Sequence, residues 1–262
     1  MSASPTPIHP TAVVSPEAEV ASDVHVGPWC RIGPRVRIGS GCRLESHVVI
    51  EGPTNIGPNN RFFPFCTIGL DPQDLKYGGE ETFLRIGSAN VFREYVNVHR
   101  GTSAGGGLTV IGDRNLLMVY VHIAHDCTLG SDIIMANAAT LAGHVVIGDH
   151  ATIGAFSGVH QFCRIGTHGF VGGYSVITKD VLPFSKTVSR RETNSYGVNA
   201  IGLKRKGFSS QQIAAIERSF RLLGRSRMNT SQAVEAIRKE IDSAESRLVV
   251  DFIEGSSRGV YR

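Results

Sequence analysis

Ten histidines are unevenly spread over this 262-residue chain. His122, His125, His144 and His160 crowd into the stretch that carries VHIAHD and LAGHVVIG, and His99 lies shortly before them. Imidazole is the side chain whose ordinary protonation equilibrium lies nearest neutrality. A cluster of this kind therefore suits proton transfer or metal ligation. Asp126 follows His125 directly and is available to orient its ring. Two chemistries compete for the cluster. Acyl transfer to a hydroxyl needs a base for the hydroxyl proton and a donor for the developing oxyanion. Three histidines on a β-solenoid can instead hold zinc, as in the γ-class carbonic anhydrases. No His-x4-His spacing occurs here, and His122/His125 is a tight pair three residues apart in extended chain. The reading without metal is preferred.

These residues sit within a six-residue repeat. Apolar residues recur at Ile8, Val14, Val20, Val26, Ile32, Ile38, Leu44, Ile50, Ile56, Phe62 and Ile68. The register resumes at Ile86, Phe92 and Val98, and runs again from Ile111 through Ile123, Leu141, Val159 and Val171 to Ile177. Neither a helical period nor strand alternation gives this spacing. Each repeat reads as a short strand and a corner, with one long side chain pointing inward and a small one two residues before it. Twelve of the apolar residues are followed by glycine, read as the residue that tolerates the corner's backbone angles. Three repeats make a triangular coil of 18 residues, and coils stack about 4.8 Å apart. His125, Gly143 and Gln161 are spaced by 18, so they share one edge of the prism. The imidazole of His125 and a backbone N–H at Gly143 then face one space.

Two excursions interrupt the prism. Residues 70–84 are read as replacing part of a coil, because Ile68 and Ile86 remain 18 apart. Residues 100–109, with GTSAGGG, lack the GK[ST] ending of a phosphate loop and are read as a mobile loop. The period stops after Ile177. Residues 1–182 form the solenoid unit and 183–262 a helical one. A Ser209-capped helix through about Gly224 is expected, then helices at about Thr230–Ser243 and Ala244–Glu254.

Composition narrows the choices. Five cysteines without a CxxC pair argue against a disulfide framework or structural zinc site. All five (Cys30, Cys42, Cys66, Cys127, Cys163) fall at the small inward position and read as core residues. No apolar run reaches the length of a membrane span, and the N-terminus resembles no signal peptide, so a cytoplasmic protein without an integral membrane segment is expected. The net charge of +4 hides an asymmetry: residues 183–262 carry 15 Lys+Arg against 8 Asp+Glu, or +7, while residues 1–182 carry −3. An acidic partner should prefer the C-terminal end; nucleic acid is not expected.

DPQDLKY at 71–77, VHRGT at 98–102, NLLM at 115–118, HIAHDC at 122–127, ATLAGHV at 139–145, VHQFC at 159–163, VGG at 171–173 and GLKRKGF at 202–208 together resemble the UDP-N-acetylglucosamine O-acyltransferases, hexapeptide-repeat transferases that open lipid A synthesis. The resemblance spans nearly the whole chain. It implies an all-β left-handed parallel β-helix with a C-terminal α-helical domain, a homotrimer, and transfer of a 3-hydroxyacyl chain from acyl carrier protein to the sugar 3-hydroxyl. No cofactor is implied, because the acyl group arrives on the carrier's phosphopantetheine. His125 carries over as general base, oriented by Asp126, with the Gly143 amide as oxyanion donor. Asp74, Lys76, His99, His122 and His144 carry over as sugar or phosphate contacts. His160, Gln161, Asn199 and Arg205 carry over as nucleotide or acyl-side contacts, and Gly173 as the acyl-length ruler. Ile201 and Lys206 depart from the residues expected there, Glu and Arg. The related N-acyltransferases carry a domain before their repeats, whereas here the repeat begins at Ile8.

Overall fold

The computed structural model describes residues 8–189, 193–224 and 228–261. Short parallel strands stack into three sheets, the faces of a triangular prism. Among the described residues, the first face holds nine strands, from Val13–Val14 to Val176–Ile177. The second holds eight, from Glu19–Val20 to Arg164–Ile165. The third holds ten; it runs from His25–Val26 to Phe170–Val171 and continues through Ser185–Ser189 and, antiparallel to that strand, Thr193–Val198. The fold is the expected left-handed parallel β-helix. Register follows the repeat: Ile32 lies over Val14 and Leu141 over Ile123. The repeat's apolar residues fill the interior from Val26 onward, whereas Ile8 remains 42% exposed because no coil lies beneath it. All five cysteines are buried free thiols, and burial pushes the Cys66 and Cys127 thiols up to about 12.

The corners differ from the sequence reading. The left-handed backbone angle falls three residues after the inward apolar residue, at nineteen non-glycine positions that include Trp29, Asp126 and His144. Of the twelve glycines that follow an inward apolar residue of the repeat, Gly69 alone has a positive φ. The others serve close stacking. A Cβ on Gly27 would stand 2.7 Å from the Glu45 carbonyl oxygen one coil away, and one on Gly112 would stand 2.5 Å from that of Gly130.

Both excursions leave from the edge that joins the first face to the second. Ile86 pairs with Ile56, 30 residues back, so the first excursion adds twelve residues to an intact coil rather than replacing part of one. The second leaves between Asn97–His99 and Leu108–Ile111, one coil higher. It is a built turn. Thr102 caps a 3-10 turn at Ser103–Gly105, and the loop is tied to the first excursion by Arg100. That guanidinium meets the Gly69 carbonyl and Asp71, and its Nη2 donates to the Tyr77 hydroxyl at 3.2 Å.

A polar ladder runs inside the prism at the small inward positions Asn60, Asn90 and Asn115. Asn90 Nδ2 donates to Asn60 Oδ1 and to the Gly112 carbonyl, both at 2.9 Å. Asn90 Oδ1 accepts from the Asn115 N–H at 2.8 Å.

Beyond Ile177 the coil continues in a shortened form, with Val181 bridged to Ile165 and Thr187 over Val171. Four helices follow: α1 (Ala200–Arg205), α2 (Ser210–Leu223), α3 (Thr230–Glu240) and α4 (Ala244–Glu254). Ser209, Asn229 and Ser243 form capping boxes for the last three, which satisfy N–H groups that a helix start leaves open. The short α1 was not anticipated, and α3 ends three residues early, at an extended Ile241. The helices bury a second core around Leu203, Ile216, Leu222, Ile237 and Val249, joined by Leu182 and Phe184. No helix among the described residues is long and apolar enough to cross a membrane.

Candidate active site

The edge between the first and second faces gathers the chemistry. His125 follows the strand His122–Ile123, and Asp126 occupies the left-handed corner position with φ 59°. That turn brings neighbouring side chains together, which an extended backbone would point apart. His125 Nδ1 meets Asp126 Oδ2 at 2.7 Å, and the carboxylate is 1% exposed. Nδ1 is therefore the donor, and Nε2 is left as the basic nitrogen.

One coil on, Gly143 packs against the same ring. A Cβ at Gly143 would stand 2.5 Å from His125 Cε1 and 2.8 Å from Nε2. The Gly143 carbonyl accepts from Phe162 N–H at 3.2 Å, but its own N–H donates to no protein group among the described residues. A basic nitrogen and an unengaged amide donor thus lie side by side.

The other histidines extend the site. The rings of His125 and His144 lie edge to face, 5.1 Å between centroids, and His144 stacks on Phe162 at 4.4 Å. His122 Nδ1 meets Asn97 Oδ1 at 2.7 Å, and Asn97 Nδ2 donates to Thr67 Oγ1 at 2.7 Å. His99 is 3% exposed, and its Nδ1 has no partner among the described residues. Burial lowers the pKa of His122 and His144. Burial, with His122 and His125 close by, pushes His99 down to about 4. These rings are neutral at pH 7 and act as hydrogen-bonding groups. Asp74 and Lys76 lie in the first excursion on the same edge; the Asp74 carboxylate accepts the Lys76 N–H at 2.9 Å and its charge reaches His144. His160 and Gln161 are exposed one coil beyond Gly143. A cleft of about 590 Å³ opens between the first excursion and the first face, lined by Gln73, Asn97, His99 and Arg100 among others.

Three of the expected residues lie elsewhere in the chain. Asn199 Nδ2 donates to the His168 carbonyl at 3.3 Å, on the edge joining the second face to the third. Arg205 ends α1 on that side. Gly173 follows Phe170–Val171 on the remaining edge, exposed, and an added Cβ would stand 3.2 Å from the Ala155 carbonyl oxygen.

Asn97, Arg100 and Thr102 receive no role from the sequence, although Arg100 and Thr102 fall within VHRGT. Asn97 sits one residue before an inward Val98, on the outward face, and its spacing from His122 is hidden by the seven residues that the second excursion inserts.

Metal ligation has one geometric candidate among the described residues: ligand atoms of His125, Asp126 and His144 lie within 4.8 Å of one another. Both Asp126 oxygens are already engaged by His125 and Thr102. A cation would have to displace those bonds.

Residues 180–261 match the family described as "Udp N-acetylglucosamine O-acyltransferase; Domain 2", and residues 17–52 and 144–179 match "Bacterial transferase hexapeptide (six repeats)". An acyl-[acyl-carrier-protein]–UDP-N-acetylglucosamine O-acyltransferase from Thermodesulfovibrio yellowstonii is 48% identical over 97% of this chain and 99% of its own. The solved structure of LpxA from Acinetobacter baumannii superimposes with a TM-score of 0.95 at 46% identity, covering 98% of this chain and all of that one. LpxA from Bacteroides fragilis, a UDP-N-acetylglucosamine acyltransferase, gives a TM-score of 0.95 at 39% identity over 97% of this chain and all of its own. Sequence, fold and full-length coverage agree, and the chain belongs to the UDP-N-acetylglucosamine O-acyltransferase family.

Proposed function

We propose that the protein transfers a 3-hydroxyacyl group from acyl carrier protein to the 3-hydroxyl of UDP-N-acetylglucosamine, with His125 as general base. The observation that carries this reading is the Asp126–His125 dyad lying against the unengaged N–H of Gly143. His125 Nε2 takes the sugar hydroxyl proton as the oxygen attacks the thioester carbonyl. The Gly143 N–H faces the oxyanion that forms. Collapse breaks the carbon–sulfur bond, and the imidazolium returns its proton to the departing phosphopantetheine thiolate. Asp126 keeps its bond to Nδ1 and steadies the charged ring. No cofactor or metal enters these steps.

His99, His122, His144, Asp74 and Lys76 hold the sugar and phosphates on the same edge, and His160 and Gln161 extend the binding path. Asn199, Arg205 and Gly173 reach a complete site when copies of the chain pack with their edges together, which supports a homotrimer as the active unit. Gly173 then borders the acyl groove of a neighbouring copy as the length ruler. The +7 of residues 183–262, densest at Lys204, Arg205 and Lys206, offers a docking surface to the acidic carrier protein. A cytoplasmic location suits soluble substrates of this kind.

The test is to incubate the protein with UDP-N-acetylglucosamine and a panel of 3-hydroxyacyl carrier proteins and weigh the products. A singly O-acylated sugar nucleotide is expected, with His125→Ala slower by about 10²–10⁴-fold. A His125→Ala enzyme within a few-fold of the parent, or stoichiometric zinc in the active protein, overturns this reading.

A further inference from the structure

The Gly-rich excursion at residues 100–109 reaches the dyad. Thr102 N–H donates to Asp126 Oδ1 at 2.8 Å, and Thr102 Oγ1 donates to Asp126 Oδ2 at 2.6 Å. The direction of the second bond is fixed by a third. Thr102 Oγ1 accepts from the Gly105 N–H at 3.2 Å, so its one proton is left for the carboxylate. The far end of the excursion holds the other side of the same residue: the Asp126 N–H donates to Thr109 Oγ1 at 2.8 Å. Thr102 is 3% exposed and Thr109 fully buried. A Cβ on Gly105 would run into the Asp126 carboxylate, so the glycine there permits the close approach.

Two histidines compete for that carboxylate. His125 Nδ1 stands 2.7 Å from Asp126 Oδ2, and His144 Nε2 stands 3.8 Å from the same atom. A carboxylate free to rotate could serve either ring. We propose that Thr102 is a positioning residue that clamps the Asp126 carboxylate from both oxygens and so commits it to His125 rather than His144. The inference rests on the reading of His125 as general base. Without the hydroxyl, Oδ2 loses a charge-assisted donor. The carboxylate then has room to turn toward His144, and a larger share of His125 carries its proton on Nε2, where it cannot act as base.

The experiment compares Thr102→Val, Thr102→Ala and Thr102→Ser with the parent and with His125→Ala, in the full-length enzyme with both natural substrates. Loss of one hydrogen bond to a charged group predicts a kcat lower by about ten- to a hundredfold in the Val and Ala variants. KM for both substrates should stay within about twofold, because Thr102 is too buried to touch them. Ser restores the hydroxyl and should bring kcat back to within a few-fold. A merely structural role predicts instead a fall in thermal stability with kcat and KM disturbed together and no selective rescue by Ser. Alanine is small enough to fit if valine disturbs folding. Parent-like kcat in Thr102→Ala beside an inactive His125→Ala overturns the clamp and leaves the general base standing. An active His125→Ala overturns the general base, and the clamp with it.

Discussion

Gly143→Ala displaces the proposed base without removing any group that the reaction uses. The backbone N–H stays, His125 stays and Asp126 stays. Gly143 does not adopt a left-handed φ, so alanine meets no backbone penalty. Its Cβ would stand 2.5, 2.8 and 3.0 Å from three atoms of the His125 ring. Comfortable carbon contacts begin at about 3.5 Å, so the ring must retreat by roughly 1 Å. A shift of that size at the reacting centre costs about 10²-fold. The same movement strains the 2.7 Å bond from Nδ1 to Asp126. Together these predict a kcat lower by about 10²–10³-fold, with KM for the sugar nucleotide changed by no more than a few-fold. Gly143 is buried and the ring's partner carboxylate is 1% exposed, so the melting temperature should also fall by several degrees. Steady-state kinetics with calorimetry on the same preparation checks both halves. A Gly143→Ala enzyme that keeps kcat within about fivefold refutes the argument that the ring must sit where it does.

Gly173→Met should move the acyl preference to a chain shorter by several carbons, since each denied methylene forfeits about 0.8 kcal/mol; kcat/KM across a carrier-protein series reads this directly, and an unchanged optimum removes Gly173 as the ruler. Asn90→Ala strips partners from the Gly112 carbonyl and the Asn115 N–H and one donor from Asn60 Oδ1. At about 1–3 kcal/mol for each of the two buried groups left unsatisfied, it should cost roughly 2–6 kcal/mol in urea unfolding, while kcat in the surviving folded enzyme is unchanged. His99 and His168 are both pushed down to about 4, chiefly by burial, so the native state keeps them neutral where an unfolded chain takes up protons below about pH 6.5. Their stabilising contribution is complete above that pH and is lost as pH falls toward 4; His168→Phe, which can retain stacking on His150 and Phe184, should flatten the slope by about one proton in denaturation measured from pH 7 to 4.5.

The six-residue period alone was enough to lay out the prism, because one inward apolar residue per repeat is what a triangular coil requires. It also put His125 one coil from Gly143 on a shared edge. The corner glycines carry an ambiguous signal. Their sequence position marks tightness, but tightness of backbone angle and tightness of coil spacing look the same in a string of letters. GTSAGGG is ambiguous for a related reason: glycine is favoured both where a chain moves and where something must approach it closely, and here Gly105 makes room for Asp126. The last coil was hidden because its spacing drops from 18 to 16, as at Ile165 to Val181. Asn60, Asn90 and Asn115 were legible in principle, each two residues before an inward Phe62, Phe92 or Leu117, yet amides at core positions contradict a purely apolar template.

Stacking by whole coils makes length a counted quantity in this architecture. A groove along an edge lengthens only by complete turns, each adding about 4.8 Å, and no intermediate spacing keeps the three faces in register. An inserted or deleted turn between His125 and Gly143 would part the proposed base from the proposed oxyanion donor, while one placed farther along leaves them together. On the proposed reading, variation in acyl length comes in two kinds: whole turns for coarse steps, and the size of single corner side chains for anything finer. On the same reading the scaffold can diversify its reach without rebuilding its chemistry, because the two are set on different edges and the length-setting corner belongs to a neighbouring copy.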